Sequence, residues 1–292
     1  METFFYLFIF ILGASVGSFL NCAIYRMELQ ESMQEDGPQK KSSGFLQGRS
    51  FCPHCRHTLS WQDLIPLLSF IFLRGKCRYC QKPISFQYPA VEISTAAIFL
   101  LITNYQLPIT NFYEFTTLCF LLLVSCFLIV IFVYDLKHYI IPDKVVYPAI
   151  VIALLYRLFE FWSLSHWDLF GNWKLEIGNL EPLISAMLSA LGAAGFFLLI
   201  VLISRGRWMG VGDIKLAFLM GLVLGWPNIL TALFSAFLIG AIIGIGLMIL
   251  GKKGLKSEVP FGPFLVTGTF LALFWGREIV NFYVENFYLG AF

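Results

Sequence analysis

Charge is what this sequence has least of. Only 13% of its 292 residues are Asp, Glu, Lys or Arg, roughly half the share of a soluble domain, while 58% are apolar and 31 are Phe. So little polar surface excludes a water-facing globule, and a formal charge of +2 gives no basis for a nucleic-acid partner. Ser and His lack the spacing of a nucleophile elbow or of a metalloprotease helix, which sets those hydrolytic chemistries aside. No basic residue precedes the first apolar run and no small-residue cleavage site follows it, so that run is read as a retained span and not as a removed signal. Tandem repeats are absent, and beyond residue 88 nothing reads as a second soluble domain.

What is present is a series of apolar stretches. A bilayer core about 30 Å thick takes roughly 20 apolar residues of helix. Residues 3–25 give one span, a second starts at Ile93 and leaves the bilayer near 104–112, and a third covers 114–134. A fourth, 144–163, is interrupted by Arg157 and Glu160, and a fifth covers 183–204. The stretch 216–251 is uncharged for 36 residues, about 54 Å of helix, too long for one span and short for two. Trp226-Pro227-Asn228 is the expected break, so the sixth span has to start close to Asp213. An eighth covers 260–282. The expectation is an all-α polytopic membrane protein of about eight transmembrane helices, with a small cytoplasmic domain between the first and second and with residues 27–50 poorly ordered. Orientation follows from Lys and Arg. Residues 26–88 hold nine of the twenty, and calling them cytoplasmic puts Lys137, Arg205, Arg207 and Lys252-Lys253-Lys256 inside as well. Segment 164–181, with Asp168, Glu176 and Glu181 against Lys174, falls outside, as do both termini.

Under this topology Asp135 ends the third span and Asp213 begins the sixth, both at the cytoplasmic edge. An ionisable group at membrane depth costs roughly 2.5–3.5 kcal/mol at the centre and marks function; near a span end an interfacial Asp is ordinary. The local sequence separates the two cases. Asp213 sits in Gly210-Val211-Gly212-Asp213-Ile214-Lys215, where Gly210 and Gly212 let a substrate backbone approach the carboxylate. Lys215 either steadies the ionised form or snorkels to the interface. Asp135 lies in Tyr134-Asp135-Leu136-Lys137, followed by Ile141-Pro142-Asp143. Two carboxyl groups about 3 Å apart do not both ionise, so one acts as base toward water while its neighbour keeps a proton.

Cys52-Pro-His-Cys55 and Cys77-Arg-Tyr-Cys80 form a four-thiolate pattern with knuckle spacing. In a reducing compartment this reads as a structural zinc site, with a redox pair as the alternative. His54 and His57 flank it. Cys22, Cys119 and Cys126 lie in apolar stretches and read as small buried side chains.

Together these pieces resemble the type IV prepilin peptidase family, leader peptidases that are also N-methyltransferases. The resemblance runs along nearly the whole chain. It rests on residues 13–21 with Arg26, Cys52-x-x-Cys55, Ile65-Pro66, Leu73 to Cys80, Tyr88-Pro89-x-x-Glu92, Asp135 with Ile141-Pro142-Asp143, Gly210 to Leu216, and Pro260 to Phe264. Arg26 is followed by Met27-Glu28, where the family often has an apolar residue and a proline. The resemblance implies an aspartic endopeptidase with Asp135 and Asp213 as its catalytic pair and Asp143 as a structural neighbour. It implies zinc on Cys52, Cys55, Cys77 and Cys80, in a domain (26–88) linked to methyl transfer from S-adenosylmethionine, with the peptidase in 89–292. The implied substrates are prepilins or pseudopilins with a basic leader, cut after a glycine. Presenilin-like proteases share the Tyr-Asp and Gly-x-Gly-Asp pairs, but their Pro-Ala-Leu motif is absent here. A transporter would bury its carboxylates at the midplane of repeated halves.

Overall fold

The structure is a computed structural model that describes residues 2–35, 49–166, 177–251 and 259–288. Its helices are α1 (Glu2–Glu35), the single-turn α2 (Leu68–Phe72), α3 (Gln87–Gln106), α4 (Phe112–His138), α5 (Asp143–His166), α6 (Ile177–Ser204), α7 (Val211–Leu224), α8 (Asn228–Ile249) and α9 (Gly262–Tyr283). No strand is present among the described residues, where only two isolated β-bridges occur. Among the described residues, six of the eight long helices are apolar enough over sufficient length to cross a membrane, which makes this a multi-pass membrane protein. The other two are α3, whose first turns carry Gln87 and Glu92, and α7, whose 14 residues reach about 21 Å and fall short of a bilayer core.

Helix ends follow local chemistry. The Asn111 side chain accepts the Glu114 amide at 2.9 Å to start α4, and Tyr139 in the left-handed region (φ 59°) ends it just before Pro142. The α7–α8 break falls at Gly225 (φ 65°) and Trp226-Pro227, where the proline predicts it. One expectation is corrected. Residues 27–35 continue α1 and are not loop, because Met, Glu, Leu and Gln favour helix and the next glycine comes only at residue 37. The rest of the stretch expected to be poorly ordered, 36–48, lies outside the described residues. So do Asp168, Lys174, Glu176 and Lys252, Lys253 and Lys256, on which part of the expected orientation leaned.

The chain divides into two units. One contains residues 1–109 and 121–130; the other contains 110–120 and 131–292. In the first, α1 lies against α3 backbone to backbone. A Cβ added at Gly17 would stand 2.8 Å from the Glu92 Cα, closer than real side chains come, so this crossing depends on small residues. Asn21 donates to the Tyr88 carbonyl at 3.0 Å on the same interface.

In the second unit α7 is packed between α5 and α6, and a Cβ at Gly221 would collide with the Ala190 backbone. The two charges that interrupt the fourth span have partners there. Arg157 pairs with Glu160 at 2.6 Å, and Tyr113 donates its hydroxyl to the same carboxylate at 2.7 Å. The Arg157 guanidinium also donates to the Leu222 and Val223 carbonyls at 2.7 and 2.8 Å. These are among the last four carbonyls of α7, which have no intrahelical partner. Arg157 therefore caps the short helix at its apolar end.

Candidate active site and cysteine cluster

Asp135 occupies the last turn of α4, with 4% of its surface exposed, and Asp213 the first turn of α7, with 8%. Both belong to the same unit, and the glycines that adjoin them, Gly262 at Asp135 and Gly212 before Asp213, close on one side chain, Ile141. Each is held by a backbone amide. Gly210 donates to Asp213 Oδ2 at 3.2 Å, closing the N-terminal turn of α7, and Gly262 at the start of α9 donates to Asp135. The α9 N-terminus therefore faces one carboxylate with its positive dipole end.

Ile141 connects the two neighbourhoods. A Cβ at Gly212 would stand 3.0 Å from the Ile141 Cβ. One at Gly262 would stand 3.4 Å from the Ile141 Cδ1 and 2.5 Å from Asp135 Oδ2. The buried Ile141 side chain thus fits between a glycine beside Asp213 and the glycine that holds Asp135. Gly210 differs from Gly212: a Cβ there meets nothing nearer than 3.9 Å, so Gly210 leaves open space beside Asp213 while Gly212 is filled by packing. Lys215 does not turn to Asp213. Its ammonium pairs with Asp143 at 2.6 Å and lies 4.9 Å from the Tyr147 ring centre, joining the N-termini of α5 and α7. Sequence reasoning quoted Ile141 and Gly262 within motifs but gave neither a role.

The four paired cysteines also come together, within the first unit. Their Sγ atoms all lie within 4.8 Å of one another, and Cys52 Sγ is 3.9 Å from Cys80 Sγ. A tetrahedral zinc ion with bonds of about 2.3 Å sets its sulfurs about 3.8 Å apart, so the cluster fits that metal. His54 and His57 are not part of it. Two knuckles with one design build the cluster. Arg56 donates its amide to Cys52 O at 2.9 Å and Gln81 donates to Cys77 O at 3.0 Å, with φ of 57° and 58° at the two donors. Burial pushes the Cys52 thiol up, but hydrogen bonds from the Cys55 and His54 amides and the neighbouring thiols outweigh it and bring it to about 7. The same thiol neighbours hold Cys80 up at about 11, so the cluster gives up its first proton at Cys52, and a bound cation is what would favour the thiolate form of all four.

Residues 11–105 match the bacterial peptidase A24 N-terminal domain, and residues 122–245 match the type IV leader peptidase family. Among curated proteins, the prepilin leader peptidase/N-methyltransferase of Aeromonas hydrophila is 31% identical over 291 residues, covering 96% of this chain and 93% of its own. Those of Legionella pneumophila and Bacillus subtilis (strain 168) are each 32% identical, covering 96% and 95% of this chain and 95% and 97% of theirs. No solved structure matches. With that similarity over nearly its full length, the chain belongs to the type IV leader peptidase family, the bifunctional prepilin leader peptidases/N-methyltransferases.

Proposed function

We propose that this protein removes the basic leader of type IV prepilins or pseudopilins at the cytoplasmic face of the cell membrane, with Asp135 and Asp213 activating water, and then methylates the new N-terminal residue. The observation that carries the reading is a pair of buried carboxyl groups in one unit whose adjoining glycines close on the same Ile141 side chain, in a family whose relatives are named for both activities. One ionised carboxylate draws a proton from water as its oxygen attacks the scissile carbonyl. The protonated partner donates to the carbonyl oxygen, and collapse of the tetrahedral intermediate passes a proton to the leaving amine. The open space at Gly210 admits an extended backbone beside Asp213.

The four thiolates are assigned to a structural zinc ion that folds the 26–88 domain, with the peptidase in 89–292. The methyl donor, S-adenosylmethionine, is carried over from the relatives' name, and no residue is assigned to hold it. The dyad faces the cytoplasm, with both termini outside and the lipid bilayer around the spans.

Purified enzyme incubated with a leader-bearing precursor and deuterium-labelled S-adenosylmethionine yields, on mass spectrometry, a shortened chain carrying one labelled methyl group. An uncut precursor overturns the reading; a cut, unlabelled product limits it to the peptidase.

Ile141 supplies a finer expectation. Shortening it in Ile141→Ala frees the spacing between Gly212 and Gly262 and lowers kcat on the order of 10- to 100-fold with little change in KM, as a misplacement of about 1 Å does. Ile141→Leu, which conserves volume, retains most activity. Steady-state kinetics on the precursor measures both.

A further inference from the structure

The cysteine domain exposes apolar side chains that a water-facing domain of its size does not carry. Between residues 61 and 72, Trp61 is 72% exposed, Ile71 66% and Phe72 80%, with Leu64 and Leu68 also exposed. Contiguous exposed apolar groups mark an interaction surface. The question is what covers this one.

Depth gives the first part of the answer. The backbone amide of Leu67, in the middle of the segment, donates to Glu92 Oε2 at 2.8 Å. Glu92 is buried five residues into α3, about 7 Å along its axis from the helix start. Its Cα is the atom that Gly17 of α1 closely approaches. Gly17 lies nine residues before Arg26, the first charge after the uncharged run 3–25, which is about 13 Å of helix. A hydrogen bond therefore ties the segment well below the charged edge of a membrane span. The backbone reverses at the tie, where Leu67 adopts φ +60°, so the segment descends to Glu92 and returns.

Charge gives the second part. Residues 49–86 hold six cations, Arg49, Arg56, Arg74, Lys76, Arg78 and Lys82, against Asp63 alone. Arg78 is taken up by Asp63 at 2.9 Å. A zinc ion on four thiolates has a net charge of roughly −2 and still leaves an excess of cations. Arg74, Lys76 and Lys82 are exposed and follow the apolar segment directly. Apolar residues including a Trp, bordered by cations, are the pattern of an element lying in the headgroup boundary of an anionic leaflet. A basic leader finds no charge complementarity on this surface.

We propose that residues 61–72 form a membrane-inserted interfacial loop, seated in an anionic phospholipid leaflet with Arg74, Lys76 and Lys82 on its headgroups, that fastens the cysteine domain to the membrane surface.

The full chain carrying photoreactive benzoylphenylalanine in place of Phe72 tests this in nanodiscs of phosphatidylcholine alone or mixed equally with phosphatidylglycerol. Irradiation is expected to add the mass of a phospholipid to the chain, severalfold more often in the mixed discs. The same protein with Arg74→Gln, Lys76→Gln and Lys82→Gln is expected to keep its phosphatidylcholine adducts and lose that excess. Retained cysteine-bound zinc reports that the variants are folded. Adducts only to a second protein chain, no lipid adducts in either disc, or equal yields in both discs for the unsubstituted cations would each overturn the proposal.

Discussion

Asp213→Asn abolishes leader cleavage, lowering kcat by on the order of 1000-fold or more, and Asp135→Asn does the same. The substitutions remove little else. An asparagine at 213 still offers an oxygen to the Gly210 amide, which sits 3.2 Å from Oδ2 in the native site, and one at 135 still offers an oxygen to Gly262. Volume is unchanged and a buried charge is lost, so expression and bound zinc stay at native levels. What disappears is the capacity to hold and release a proton at both positions. Because the two groups act as a unit, the double variant is no slower than either single one. Cleavage of a precursor followed by gel shift and mass spectrometry measures the effect. Native-like turnover in either variant sinks the assignment. Asp143→Asn is the contrast: it breaks an ion pair in which Asp143 is 57% exposed, worth at most about 1 kcal/mol, and leaves cleavage within a few-fold of native.

The second large effect concerns metal. Cys52→Ser takes one thiolate from a four-sulfur cluster at its most enclosed position, since Cys52 and Cys77 are buried while Cys55 is exposed. Few hydrophobic side chains of segment 49–86 are fully buried, so its folding is expected to depend on the proposed zinc ion. Structural zinc supplies on the order of 10–16 kcal/mol to such small domains. Zinc per purified chain is expected to fall from one to a small fraction, and the segment to become open to limited proteolysis. Unchanged zinc content would remove Cys52 from the ligand set.

How much of this was legible in the sequence depends on the reach of the interactions. The helices are readable because membrane spans are written in contiguous apolar runs, and the α7–α8 break because Pro227 acts locally. Cys52, Cys55, Cys77 and Cys80 are readable because two short turns of fixed spacing supply all four sulfurs. Asp135 and Asp213 could be named from their motifs, but their mutual distance could not. Ile141, Gly262 and Glu92 acquire roles only from partners remote in sequence. Glu92 reaches Leu67 across 25 residues, and Arg157 reaches Leu222 across 65. Arg157 and Glu160 read only as interruptions of the fourth span, because composition records a charge in a span and not the ion pair and carbonyls that take it up. The continuation of α1 through 27–35 was missed because polar composition there was taken for disorder, although none of those residues breaks a helix.

α7 is gripped by α5 at both of its ends: Asp143 holds Lys215 beside the first turn, and Arg157 holds the carbonyls of the last. Long spans respond to a thinner or thicker bilayer by tilting or shifting, at fractions of a kcal/mol per ångström of mismatch. A helix of 14 residues clamped twice to one neighbour does not slide independently of it. Asp213, two residues from Lys215 on a helix whose last carbonyls are held by Arg157, is therefore expected to keep its height relative to α5 as the bilayer changes. α5 thereby acts as a gauge rod for the depth of the Asp213 carboxylate, and the proposed cleavage is expected to vary little between bilayers of different thickness.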